Sequence, residues 1–513
     1  MTNNVSRTKR TIQNSRVSFL LFLIQIFVGF YSRKVFLDYL GTEVLGLNTT
    51  LGNILSFMNL AELGIGIAMA TSLYKPINDN DHKTICEIIT VQSFLYRRIA
   101  LFIGIIGVLV IIALPYLFPN TECGLLYVSI SFVVFLSDSL FSYIWNYKQI
   151  LIGADQKNFK LMPWMHGVRY TKIGLQITCL TFFSWGIWGW ILLEFLGSIA
   201  NTLVINWVIK KEYPWLHIIK VQGKTLIKKY DHLITKTKQL FIHKLAYFIL
   251  GQTAPLIIYA FVSLTMVTYY GNYMILLGYI ATLVNVIFDG MGASIGSLVA
   301  DNNKKHTLNV FWELFTSRLW IASVACIGLL LLVEPFIILW IGKEYLLSNS
   351  TLLLMIIGVF IKMSRGVVDS FKDAYQLFGD IWAPAIEAVI NLGCSIYLGY
   401  LWGLNGILLG SNISLILIVG IWKPYYLCRK GLKESCFKYF INYSQHILVI
   451  ISCAYIAYYI SSIYSTNSMI KLIILNLLCF ILYSLSSYII LYIFTDGMKC
   501  FSNRIKKLIF HQQ

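Results

Sequence analysis

Five ionisable residues stand close together in one apolar stretch: Lys362, Arg365, Asp369, Lys372 and Asp373. At 100° per residue they fall within roughly a 100° arc of one helix face. Arg365 and Asp369 are four residues apart and can pair along that face. Charged residues held in an apolar segment normally face a water-filled cavity or a partner. The plain alternative is a ladder of ion pairs tying this helix to a neighbour. The balance of charge stays positive, and Lys362 and Arg365 lie too deep in the stretch to reach an interface easily, so the face reads as a cationic cavity wall. Arg33 is the other deep cation. Lys34 beside it projects about 100° away, and snorkelling to headgroups competes with a cavity role for both.

Carboxylates recur in similar surroundings. Glu62 stands in Leu60-Ala61-Glu62-Leu63-Gly64-Ile65-Gly66 and Asp289 in Ile287-Phe288-Asp289-Gly290-Met291-Gly292. Asp138 opens a stripe with Ser142, Trp145 and Gln149 on one helical face. With Asp369 these are candidate proton or sodium sites, since acids held in apolar segments are costly there and commonly functional. A protonated acid bonding one helix to another is the competing reading for each. Glu194 is a further acid of this kind; Glu387, four residues before Asn391, suits helix packing equally. Arg169, Lys172 and Arg318 stand early in their apolar stretches, where snorkelling is the default expectation.

The elements that must position these residues follow from composition. The chain has 513 residues, 58% of them hydrophobic and only 12% charged, with a mean hydropathy of +0.71. Soluble domains carry roughly 25% charged residues. At about 20 apolar residues per crossing, the chain reads as an all-α polytopic integral membrane protein of about fourteen helices. The spans are expected near 17–39, 46–70, 86–116, 125–152, 161–183, 186–209, 240–269, 273–299, 310–340, 351–377, 383–402, 405–427, 441–462 and 470–494. Residues 17–30 run into Tyr31-Ser32-Arg33-Lys34 rather than a small-residue cleavage site, so they read as the first helix. Pro255 should bend the seventh.

Lysine and arginine then fix the parity. They crowd alternate connections, above all 210–239 and the two ends of the chain. By the positive-inside rule this fits an even number of spans with both termini cytoplasmic. The long inner connection divides the chain into a six-helix lobe (1–209), a loop (210–239), a second six-helix lobe (240–438), two additional helices (439–495) and a basic tail (496–513). The net charge of +18 is topology signal plus attraction to anionic membrane lipids. Its scatter over many separate segments excludes nucleic acid as a partner. Ten cysteines without a CxxC pair and eight histidines without HExxH spacing give no metal site and no disulfide framework. No Walker A loop or G-x-S-x-G elbow is present, and the outer loops are short, so the reading is a transporter without a cofactor and not an enzyme.

Several stretches carry a family resemblance. Arg33-Lys34-Val35-Phe36-Leu37, Leu40-Gly41-Thr42-Glu43-Val44-Leu45-Gly46-Leu47-Asn48, Ala61-Glu62-Leu63-Gly64-Ile65-Gly66 and Leu73-Tyr74-Lys75-Pro76 resemble the start of bacterial polysaccharide exporters. Arg365-Gly366-Val367-Val368-Asp369-Ser370-Phe371-Lys372-Asp373-Ala374 resembles their tenth helix. Pro384, Glu387, Ala388, Asn391 and Ser395, then Gly403, Gly406 and Gly410, resemble the next two. The family is the lipid-linked oligosaccharide (O-antigen repeat-unit) flippases of the multidrug/oligosaccharidyl-lipid/polysaccharide superfamily, abbreviated MOP. The resemblance implies two six-helix lobes in a V with two extra helices, alternating access, and a cationic cavity for an undecaprenyl-diphosphate-linked glycan. Arg33, Lys362, Arg365 and Lys372 are the cations expected to meet the diphosphate. It also implies the bacterial cytoplasmic (inner) membrane, coupling to protons or sodium, and polysaccharide polymerase machinery as a partner. A cation-coupled multidrug exporter of the same superfamily and an uncoupled lipid scramblase are the alternatives. One departure stands out: where the family often has glycine after the Ala-Tyr pair, this chain has Gln376.

Overall fold

The computed structural model describes residues 7–62, 65–119, 121, 123–183, 185–219, 226, 229–230, 250–289, 295–296, 298–299, 303–377, 379–380, 382–463 and 469–510. Of residues 7–12, 14–15, 60–61, 67, 289 and 508–510 it describes the backbone alone. The described residues form helices and short connections. Ten helices are long and apolar enough to cross a membrane. Two of them, Arg16–Met58 and Trp382–Leu432, are far longer than one crossing needs, and each is interrupted at a glycine.

Gly41 (φ 81°, ψ 176°) divides the first helix, Arg7–Met58, into two arms. Side-chain contacts give their directions. Before Gly41, the Leu21 carbonyl accepts from Tyr170 at 3.1 Å and Phe36 packs on Trp190 at 4.6 Å. This arm therefore follows helix Asn158–Phe182 toward the start of Gly186–Glu212. After Gly41, Asn48 bonds Tyr127 and Glu62 bonds Tyr143, so the second arm follows Leu125–Ile144 away from its start. Tyr127 packs against Trp188, which puts the starts of Leu125–Ile144 and Gly186–Glu212 at one end. The arms are antiparallel, and the left-handed φ of the reversal requires glycine.

The helix Trp382–Ser414 reverses in the same way at Gly403 (φ 56°). Ser395 donates to the Ile407 carbonyl at 3.0 Å, and Asn391 donates to Ser411 and Ser414. The arms touch so closely that a Cβ on Gly410 would lie 2.4 Å from the Ser395 nitrogen. With the more polar helix Asn158–Phe182 and the short apolar helix Leu250–Phe261, which contains Pro255, the described residues supply the fourteen-helix order expected of a polytopic membrane protein.

Boundaries differ in places. The turn expected near Gly271 falls instead at Val262 and Ser263, and Leu264–Asp289 runs through Gly271 as one helix. Ser263 starts that helix by accepting the Met266 N–H at 3.1 Å, which satisfies one of its free donors. The second span runs into a short 3-10 turn, Asn59–Glu62, and helix follows again over Ile65–Asn78. The fourth is interrupted at Trp145 to Lys148 and the tenth at Arg365. The twelfth continues to Leu432 through two π-helical stretches, Leu415–Trp422 and Cys428–Leu432.

The chain divides into two compact units. One comprises Met1–Tyr259 with Ser263–Thr268, the other Ala260–Val262 with Tyr269–Gln513. The core of the first includes Leu47, Leu51, Ile89, Ile103, Phe118 and Phe132. The second packs Phe311 on Phe371 and Phe315 on Tyr439 edge to face. Leu101, Ile105, Val108, Leu109 and Ile112 lie exposed along one stripe of helix His82–Leu117, as a lipid-facing surface should. The tail forms a helix, Asp496–Phe510. It docks on Lys304–Trp340 with Gly497 against the Trp312 carbonyl and Arg504 paired to buried Glu313.

Three helix ends close alike. The N–H groups of Asn80 and Asp81 bond the carbonyls of Ile77 and Pro76; those of Gln156 and Lys157 bond Gly153 and Ile152; those of Gln376 and Leu377 bond Asp373 and Lys372. Each is the Schellman closure, whose left-handed residue favours glycine. Here Asn80, Gln156 and Gln376 occupy it with φ of 51°, 57° and 54°. The departure noted at Gln376 is thus a left-handed glutamine in a glycine's place. Just beyond it, Asp380 receives the Lys372 ammonium at 2.5 Å and the Trp422 indole at 3.3 Å, with both charged residues buried.

Gln376 is exposed, so Gln376→Gly should relieve strain at little cost in contacts. The expected gain is about 1 kcal/mol, measured by thermal or SDS unfolding in detergent. Lys372→Met leaves Asp380 as a buried carboxylate without its cation and should cost about 3–5 kcal/mol. The Lys372→Met, Asp380→Leu double variant should recover most of that loss in the same measurement.

Candidate functional site

In the second unit, helix Asn349–Ser364 starts at Ser348, whose hydroxyl accepts the Thr351 N–H. The arm after Gly403 runs beside it. Thr351 donates to Asn405 at 2.6 Å, Asn412 donates to the Leu354 carbonyl at 2.9 Å, and Lys423 reaches Asp369 at 3.0 Å. The helical run is interrupted at Arg365 and resumes as Gly366–Ala374. Arg318, from helix Lys304–Trp340, sits at the interruption. Its Nε donates to the Met363 carbonyl at 2.6 Å and its Nη2 to Asn285 at 2.7 Å. Gly366 makes the room, for a Cβ there would lie 2.3 Å from the guanidinium. The snorkelling expected of Arg318 is therefore corrected: the side chain is buried and braces three helices.

Around this interruption the charges divide into two kinds. Lys372 and Asp380 form the sealed pair already described. Asp369 forms an open one: its two oxygens take Arg365 Nε at 3.2 Å and Lys423 Nζ at 3.0 Å, and the Arg365 and Asp369 side chains are 29% and 31% exposed. Glu387 is buried nearby and interacts electrostatically with Lys423, Arg365 and Lys362. Lys362, near the middle of the span, is exposed and makes no hydrogen bond or ion pair with a described residue. An exposed ammonium at that depth requires water or an anionic ligand. Asp373 is exposed at the edge of the group. Lys423 escaped the sequence reading because it stands near the end of its span, where a lysine normally signals topology.

The first unit holds a cavity of about 420 Å³. Glu62, Asp138 and Glu194 line it with Asn48, Asn59 and Ser142. Glu62 accepts the hydroxyls of Tyr96 at 2.6 Å and Tyr143 at 3.0 Å. Glu194 accepts Lys172 at 2.5 Å and Gln176 at 3.0 Å. Lys172 thus pairs inward rather than snorkelling, and Gly197 leaves the space for its stem. Asp138 is exposed and makes no hydrogen bond or ion pair with a described residue. Glu194 was legible only as a further acid; its place beside Asp138 depends on how three helices pack. Among the described residues, no three His, Cys, Asp or Glu side chains come together as a metal site.

Arg33 is half-exposed in the first arm of Arg7–Met58, between exposed Lys34 and buried Ser32. Asp289 is the last residue of its helix, as Glu62 is the last of its turn, and its side chain lies outside the described residues.

No family model matches the chain. A Yersinia pseudotuberculosis protein named for O-antigen export is 23% identical over 433 residues, which cover 79% of this chain and 92% of that one. Among solved structures, the lipid II flippase MurJ in an inward closed conformation matches with a TM-score of 0.62 at 16% identity, covering 93% of this chain and 98% of its own. An inward-facing multidrug resistance MATE family transporter of the MOP superfamily matches with a TM-score of 0.55 at 15% identity, covering 80% and 95%. These similar proteins are transporters and not enzymes. With antiparallel arms at Gly41 and Gly403 and near-complete coverage, the chain has the fold of the MOP-superfamily transporters.

Proposed function

We propose that the chain flips a lipid-linked oligosaccharide repeat unit across the bacterial cytoplasmic membrane by alternating access, for surface polysaccharide assembly. The observation that carries this reading is Lys362, an exposed cation with no ion pair to a described residue, set one turn from Arg365 in mid-span. Charged hydrogen bonds to phosphate oxygens would let the diphosphate of an undecaprenyl carrier cross while its tail stays in lipid. The similarity to an O-antigen export protein and to a lipid II flippase supports the same substrate class. Arg33 is a further candidate cation. The lysine and arginine distribution supports cytoplasmic termini, and anionic lipids and a polysaccharide polymerase are the proposed neighbours.

Asp138 is the proposed coupling-ion site, with Glu62 held beside it by two tyrosines. An unpaired acid in a hydroxyl-lined cavity suits a proton or sodium ion. The same acidic cavity also favours a second reading, a cation-coupled exporter of small cationic molecules. The exposed ammonium of Lys362 beside Arg365 argues against that cargo.

Replacing both Lys362 and Arg365 with alanine should lower surface glycan about tenfold or more at equal membrane abundance, since charged hydrogen bonds are worth roughly 1.5–3 kcal/mol each. Undiminished glycan would sink the flippase role given to them, and drug efflux lost in its place would favour the exporter. Asp138→Asn should remove the dependence of transport into proteoliposomes on an imposed ion gradient. A gradient response equal to that of the unaltered protein would assign Asp138 a structural role.

A further inference from the structure

We propose that Asp369 is an internal stand-in for a substrate phosphate, and that Lys423 and Arg365 are the two cations it occupies until the diphosphate displaces it. The inference rests on the flippase reading and deepens it. It adds Lys423 to the anion site and gives Asp369 a role in affinity rather than in ion coupling.

The geometry is the first argument. Asp369 divides its oxygens between two cations from different helices, one oxygen to Arg365 Nε and one to Lys423 Nζ. A phosphate presents the same pair of acceptors to the same donors. The second argument is accessibility. On the same helical run, Lys372 and Asp380 are sealed, with side chains 10% and 9% exposed, and an indole covers the carboxylate. The Arg365–Asp369 pair lies open at 29% and 31%, with Lys423 behind it at 15%. Solvated pairs are held weakly, whereas sealed ones resist opening. A ligand can therefore exchange with Asp369 but not with Asp380.

Charge balance is the third argument. Lys362, Arg365 and Lys423 stand with Asp369, exposed Asp373 and buried Glu387. With Asp369 in place the three cations and three carboxylates balance. With Asp369 turned away the cations are in excess, as an incoming anionic head group requires. The stand-in thus keeps Arg365 and Lys423 satisfied when no substrate is bound. It also returns to help expel the head group after crossing.

The test is binding of inorganic pyrophosphate and of farnesyl diphosphate to the purified full-length protein in detergent, by titration calorimetry, beside surface glycan in cells. Asp369→Asn should bind both probes about fivefold tighter and yet export less glycan, because release slows. Asp369→Glu should restore both values toward those of the unaltered protein. Lys423→Gln should weaken binding about fivefold or more. Binding by Asp369→Asn that is unchanged or weaker, at an unaltered unfolding temperature, overturns the stand-in. If that variant fails to fold, Lys423→Gln decides: binding as tight as in the unaltered protein overturns the proposal. Probe binding that depends on Arg365 but ignores Asp369 sinks this inference alone. Absence of any probe binding, with export unaffected by loss of Arg365, sinks the flippase reading with it.

Discussion

An ionised group inside a membrane must be paired, bonded or wetted, because the bilayer supplies none of these; at the centre of a helix the penalty is about 2.5–3.5 kcal/mol on insertion scales. Much of the polar architecture follows from that constraint. Lys172 lies over Gly197 and pairs with Glu194. Arg318 lies over Gly366 and spends its donors on a carbonyl and an amide. In both cases a missing Cβ leaves room for a cation to cross to another helix. Once such groups are satisfied, Lys362 and Asp138 are still exposed, with no hydrogen bond or ion pair to a described residue.

What could be read from the sequence divides along the same line. The apolar fraction and the distribution of lysine and arginine led to a helical membrane protein with an even number of spans. The Arg365–Asp369 pair followed from spacing alone, as helical periodicity requires. Partners contributed by other helices were another matter. Lys372 looked like one more cation on the cavity face, yet Asp380, beyond a turn, takes it. Lys423 is separated from Asp369 by more than fifty residues and a complete reversal of the chain at Gly403. Arg318 and Lys172 were placed at the interface because depth along a helix is legible while direction around the neighbouring helices is not. The turn near Gly271 was misplaced because Ser263 supplies a better helix start than glycine supplies a stop.

The two units share a corner that the sequence barely betrays. The fourth span of the first is interrupted and ends in Gln149–Ala154; the tenth span of the chain is interrupted and ends in Gly366–Ala374. Each closes on a left-handed glutamine, Gln156 or Gln376. Near each closure a buried aspartate takes a lysine and an aromatic donor: Asp155 with Lys157 and Tyr213, Asp380 with Lys372 and Trp422. A duplicated half, of the kind parallel-repeat transporters use, would produce this recurrence.

Against that shared frame the differences carry the functional argument. Asp138, exposed in the cavity of the first unit, and Lys362, exposed in the second unit, make no hydrogen bond or ion pair with a described residue. One ligand of either sign would satisfy one and aggravate the other. A scramblase that only passes anionic head groups has no use for an acid kept open in a hydroxyl-lined cavity. A transporter that exchanges an anionic head group against a cation needs both. The asymmetry between two otherwise similar halves is therefore a reason to expect coupling on the proposed function.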